Sequence, residues 1–310
     1  MLHRFDVLPD TRDVFVWADY IELRALAHPD KCFSRGELAA LAQQVAAIGQ
    51  PLVDANAIWR EVKEFINNRA HIFGAAYPFT IVGHDEDTLE LTDRALNGEE
   101  KLYLTLLICS SMAYVVRQGG NVQMIGRLFE ECSLEIFQKL MPPGSKIYPA
   151  WAAGGAAARY QGSLYQKLLL IARDLRGTAT IQERDYAPQD HGDGGIDIVS
   201  WDDLDDPIRG AIPSALAQCG CSREQWRTKH IAASPVMLRS KINVHHNWAT
   251  YYFMPLDLRW SDGDWAYKGD FGEAIIIDRL RMISLARRYN IAEQMPIRDV
   301  VETASQLQIM

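Results

Sequence analysis

Along the first half of the chain, apolar residues recur at helical spacing. Val14, Trp17, Ala18, Ile21 and Ala25 keep a period of about 3.6 residues and predict a helix over Val14 to Leu26. Ser34, followed three residues later by Glu37, is the start signal of a reciprocal capping box, so a second helix is expected from Glu37 to Ile48. Asn56 reads as the cap of a third, whose stripe is Ile58, Val62, Phe65 and Ile66. From Tyr77 to Leu91 the period fades, and irregular or short-stranded chain is expected. Glu99 to Val116 and Ile125 to Leu140, parted by Gly119-Gly120, complete the helical half. Met141-Pro-Pro-Gly144 stops the last helix.

The pattern then changes. Leu164, Leu168, Ile171 and Leu175 share one face of a helix over Ser163 to Leu175. Strands are expected at Thr178 to Arg184, Ile196 to Trp201, Ala215 to Cys219, Thr250 to Met254 and Ala274 to Ile277, with a final helix from Asp278 to Tyr289. Helix, a run of strands, then strand and helix is the order of an α/β layer. Pro, Gly and Ala concentrate between Met141 and Gly162 (Gly154 to Ala158 above all), so the boundary is set there. The expectation is a helical association domain over 1–150 and an α/β domain with a mixed sheet over 151–310.

Composition narrows the class without choosing a function. The chain has 310 residues, 48% hydrophobic and 23% charged, as in an ordinary folded protein. Leu102 to Val116, the longest apolar stretch, carries Thr105, Ser110 and Ser111 and falls short of the roughly 20 residues of a membrane span. The opening Met-Leu-His-Arg-Phe-Asp has no apolar signal core, which sets the expectation of a cytoplasmic protein. A net charge of −8 argues against nonspecific coating of nucleic acid but leaves room for a local basic groove. From Cys221 to Asn290 there are eleven Lys or Arg against seven acids, with Trp226, Trp248, Tyr251 and Tyr252 interleaved. Such aromatics either stack on bases or fill the core. Five scattered cysteines fit reduced thiols. Cys219-x-Cys221 with His230 lacks a fourth zinc ligand.

The stretch His191-Gly-Asp-Gly-Gly-Ile-Asp197 carries the chemistry. Its glycines let the backbone turn tightly before a strand, and Asp197 projects from that strand's start. Gln218 lies near the end of the next apolar run, so a hairpin converges the two on one ion; hard divalent cations favour such oxygen donors. His191-x-Asp193 also has the spacing of an iron facial triad, with His245 or His246 as third ligand. The aspartates from Asp202 to Asp206 read as a solvated loop. No phosphate-cradling loop with its Gly-Lys-Ser/Thr ending appears, so any ATP chemistry belongs to a partner.

Gly-Asp-Gly-Gly-Ile-Asp, a second strand ending Ala-Gln-Cys, and the upstream amphipathic helix together resemble the PD-(D/E)xK nuclease superfamily, in its Mrr-like form. The resemblance covers roughly residues 160 to 285. It implies a restriction-endonuclease-like fold and Mg²⁺- or Mn²⁺-dependent hydrolysis of DNA. It further implies a nuclease subunit of a bacterial anti-phage defence system, beside an NTPase or other subunit, as a homo-oligomer or hetero-complex and without membrane. Carried over by position, Asp197 is the metal-binding aspartate and Gln218 the third-motif residue completing the metal site. Two positions depart from the pattern. The lysine expected two residues after Gln218 is Gly220, with Lys229 the nearest replacement. The first-motif acid falls on Gln166, or alternatively on Glu131 of the preceding helix. These departures suit an inactive nuclease fold serving as a DNA-binding or assembly subunit, the alternative reading.

Overall fold

The computed structural model describes residues 8–47, 53–112, 121–151, 158–187 and 189–297. Two compact units emerge. The first takes the chain up to Phe129, then Pro255–Lys268 and everything from Arg279; the second takes Glu130–Met254 and Gly269–Asp278. The expected division was into consecutive stretches meeting at residue 150; the observed units interleave along the chain.

In the first unit, α1 (Val14–Ala27) buries almost its whole circumference, polar Asp19 and Glu22 included. β1 (Cys32–Ser34) leads into α2 (Arg35–Ala47), whose start carries the capping box read from sequence. The Ser34 amide donates to Glu37 at 2.7 Å, and the Glu37 amide donates to Ser34 Oγ at 3.2 Å. α3 (Ala55–Phe73) is capped by Asp54 rather than Asn56. Asp54 accepts from the amides of Asn56 and Ala57, so the helix is capped two positions earlier than the sequence reading placed it. β2 (Phe79–Val82) and β3 (Thr88–Leu91) resolve the ambiguous stretch into a hairpin, and β1 joins it on the far side of β3. α4 (Gly98–Ser110) starts at an Asn97–Glu100 capping box. The helix ends at Ser110 with Ser111 as its C-cap, short of the expected Val116; residues 113–116 lie outside the described residues.

A buried ionic cluster ties this unit together. The Arg69 guanidinium reaches Asp19 and Glu22 at 2.8 Å and Asp257 at 3.0 Å; Arg279 donates to Asp19 at 2.8 Å. Tyr77 and Tyr103 donate their hydroxyls to the two oxygens of Glu22. Buried charges survive only when paired and hydrogen-bonded in this way.

The second unit begins within α5 (Asn121–Leu140) and contains β4 (Lys146–Pro149), α6 (Leu164–Asp174), β5 (Thr178–Ala179), β6 (Ile198–Trp201) and β7 (Ser214–Cys219). Short helices α7 (Trp226–Lys229) and α8 (Pro235–Leu238) precede β8 (Ile242–Asn243), β9 (Ala249–Phe253) and β10 (Ile275–Ile277). α9 (Arg279–Arg288) then returns the chain to the first unit. The main sheet has the order β10-β9-β7-β6-β4, antiparallel from β4 to β7 and parallel from β7 to β10. The chain thus adopts the expected class, a helix-rich part and an α/β part with a mixed sheet. α6 covers one face, with Leu164, Leu168, Ile171 and Leu175 packed on Val199, Trp201 and Leu216. α5 sets Phe137 against Tyr251 and Phe253 on the other face.

The strand expected from Thr178 to Arg184 is two residues long. It pairs only with β8, and Gln182 with Asp185 then caps a 3-10 turn over Glu183–Asp185. Among the described residues no helix is long and apolar enough to cross a membrane.

Candidate functional site

The Asp190–Asp197 loop enters β6 through two glycines with left-handed backbone. Gly195 has φ +85°, and a Cβ there would stand 2.9 Å from Ala232 Cβ, so a side chain would displace the turn. Asp193 accepts the Gly195 amide at 2.8 Å, an Asx-turn that fixes the loop. The result places Asp197 at the strand's first step, 5% exposed, its carboxylate accepting the Cys219 amide at 2.7 Å.

Strand register then builds a row. The β6–β7 ladder pairs Ile198 with Ala217, and one step further sets Asp197 opposite Gln218. The β7–β9 ladder pairs Gln218 with Tyr252. Alternation puts Asp197, Gln218 and Tyr252 on the face that α6 covers. Gln218 Oε1 and Tyr252 Oη are both buried without a hydrogen-bond partner, two unsatisfied oxygens side by side in a row headed by a carboxylate. Such atoms are uncommon in folded proteins, and each calls for an explanation.

The row is acidic. Burial, with Asp193 beside it and sharing a hydrogen bond, pushes the Asp197 carboxyl well above the usual range; Glu130 on α5 adds to the same field. Burial also raises the Cys219 thiol, with Asp197 and Glu130 contributing. On α6, Lys167 is 3% exposed and donates to the carbonyls of His191 at 3.0 Å and Gly192 at 3.2 Å, in the loop that leads to Asp197. Burial lowers the Lys167 pKa, against the pull of Asp193 and Asp190.

Of the residues expected from sequence, Asp197 and Gln218 are brought together. Lys229 ends α7 with its side chain exposed. Gln166 is exposed at the start of α6, its side chain accepting the Ser163 amide at 3.0 Å in a capping box. Lys167 and Glu130 are the residues that sequence reasoning passed over; Asp193 and Tyr252 were read in other roles, Asp193 as a turn or facial-triad residue and Tyr252 as a base-stacking or core aromatic. Lys167 follows Gln166 directly, and a helical position facing the loop distinguished it. Glu130 adjoins the expected Glu131; its offset of seven residues from the packed Phe137, two helical turns, places it on the sheet-facing edge.

Gly220, where the pattern expects lysine, has a physical reason. A Cβ there would stand 2.1 Å from Tyr252 Oη, so the hydroxyl occupies the room a side chain needs.

Other expectations give way. Among the described residues no three His, Cys, Asp or Glu side chains are grouped to hold a metal ion, which removes both the zinc set and the facial triad. His230 is instead buried with both ring nitrogens engaged, by Trp226 O at 3.0 Å and the Gly272 amide at 2.9 Å. Trp226, Trp248 and Tyr252 are core residues and offer no face to a base. Asp202 and Asp206 cap their own loop.

No protein-family model matches the chain, and no curated protein matches it. Among solved structures it is similar to one described as MspJI restriction endonuclease in complex with a 27-mer oligonucleotide, at 12% identity and a TM-score of 0.30. That match covers 73% of this chain and spans 38% of the other.

Proposed function

We propose that the chain is a metal-dependent endonuclease that hydrolyses DNA phosphodiester bonds. The observation that carries this reading is the row Asp197–Gln218–Tyr252, with two unsatisfied buried oxygens beside a crowded carboxyl pair. The donors are all oxygen, the set that Mg²⁺ or Mn²⁺ takes, and the charge is low enough that substrate oxygens would complete the shell. The residues present therefore fit such an ion, held by Asp197 and Gln218, with Asp193 beside Asp197. When bound, it would supply Lewis-acid polarisation of the phosphate and a more acidic water.

The chain's own groups do the rest. Asp197 is fixed by the Cys219 amide, so its second oxygen is directed rather than free to rotate. Lys167 is tethered by two carbonyls with its ammonium beside Asp193, where it would neutralise charge developing on the phosphate or orient the attacking water. Lys229 is the alternative cation, and substitution of each lysine separates them. The nuclease resemblance further supports a place in bacterial anti-phage defence, as the nuclease subunit beside an NTPase.

Gly220 favours a second reading, a nuclease fold without activity that serves as a DNA-binding or assembly subunit. Cleavage of plasmid and linear DNA with Mg²⁺ or Mn²⁺, wild type against Asp197→Ala, decides between them. Metal-dependent cutting lost in the variant supports the enzyme; DNA binding without cutting supports the scaffold.

A further inference from the structure

At the opposite end of β6 from Asp197, the sheet and the end of α6 border a half-open, basic cavity of about 500 Å³. The β4–β6 register sets Lys146 opposite Trp201, with Tyr148 two residues on along the same face. The C-terminal end of α6 adds Arg173 and Arg176, and Arg159 lies over the stacked Tyr148–Trp201 pair at 4.8 and 5.1 Å from the ring centres. Two carboxylates answer these four cations. Asp174 takes Arg159 at 2.6 Å, and Asp203 pairs with Lys146 and lies 4.0 Å from Arg176.

The remaining charge is unspent. Arg173 is exposed with no carboxylate partner among the described residues. Arg176 Nε is buried and has no hydrogen-bond partner. Arg176 also stands at the helix end with φ +55°, a left-handed position that glycine fills at lower cost, yet the chain keeps a guanidinium there. Compensation of the helix dipole accounts for a cation in the last turn of α6. It does not account for Lys146 and Arg159 converging from two other segments. A neighbouring cavity of about 550 Å³ shares Arg173 and Arg176 and is bordered by His245 and the exposed Ile208.

We propose that this cavity binds a phosphate dianion. Four cations less two carboxylates leave two positive charges, which match a phosphomonoester, and the guanidinium fork suits its oxygens. A free mononucleotide and the 5′-phosphorylated end of a DNA strand carry the same group. The proposal is independent of the nuclease site.

Binding is measured by calorimetry in chelator, so that neither metal nor cleavage enters, with dAMP, a 5′-phosphorylated single-stranded 10-mer and the same 10-mer without its phosphate. The expected result is binding of at least one phosphorylated probe, weakened at least tenfold by Arg176→Gly at an unchanged or higher melting temperature. dAMP binding identifies the free nucleotide as sufficient; binding of the phosphorylated 10-mer alone identifies a strand end. Arg173→Ala, on an exposed side chain, gives a second reading of the same loss. No binding by wild type, equal binding of the unphosphorylated 10-mer, or binding indifferent to both variants overturns the proposal.

Discussion

Gly220 and Tyr252 put the sharpest demand on single residues. A side chain at Gly220 meets the Tyr252 ring and hydroxyl, so Gly220→Ala should cost about 1–3 kcal/mol in chemical denaturation. Tyr252→Phe removes a buried hydroxyl that has no partner, and should leave stability unchanged or raise it by about 1 kcal/mol. Restoring the familiar lysine by Gly220→Lys should therefore unfold rather than activate. Lys167 is the test of chemistry: Lys167→Met should lower the cleavage rate about 10²-fold or more, while Lys229→Met leaves it near wild type. The reverse ranking would move the cation to α7.

At the scale of elements, α6 separates capping from catalysis. Ser163→Ala and Gln166→Ala each break the reciprocal cap and should cost about 1 kcal/mol, read from denaturation midpoints, with the cleavage rate per folded molecule unchanged. A rate loss in Gln166→Ala without a stability loss would return that residue to the site. Much of this level was legible. The period of Leu164, Leu168, Ile171 and Leu175 gave the helix and its buried face, and Ile196 to Trp201 and Ala215 to Cys219 gave the hairpin that joins Asp197 to Gln218. What escaped was set by partners distant in sequence. β4 reads as a Pro-bounded stretch with little apolar pattern, and only pairing with β6 makes it a strand. Thr178 to Arg184 has strand composition, yet β8 supplies only two residues to pair with. The choice of Glu130 over Glu131 depends on which helix edge faces the sheet. That was readable only from the packed positions further along α5.

For the whole molecule, stability and function rest on different clusters. In the first unit, Arg69 is bound to three carboxylates with no exposure to water. Arg69→Ala leaves Asp19, Glu22 and Asp257 short of a counter-charge, and should cost about 3–5 kcal/mol in denaturation. In the second unit, Mg²⁺ or Mn²⁺ should raise the melting temperature of wild type. A ligand that binds only the folded state at 100 times its Kd contributes about 2.7 kcal/mol, and the rise should vanish in Asp197→Ala. The interleaving of the two units along the chain hid the division from sequence, because Pro255–Lys268 and α9 return to the first unit after the α/β part has begun. The most direct test of the central claim remains DNA cleavage with Mg²⁺ and with Mn²⁺, comparing wild type, Asp197→Ala and Lys167→Met. The account predicts metal-dependent cutting by wild type, abolished by the first substitution and strongly slowed by the second; cutting by Asp197→Ala at the wild-type rate would contradict it.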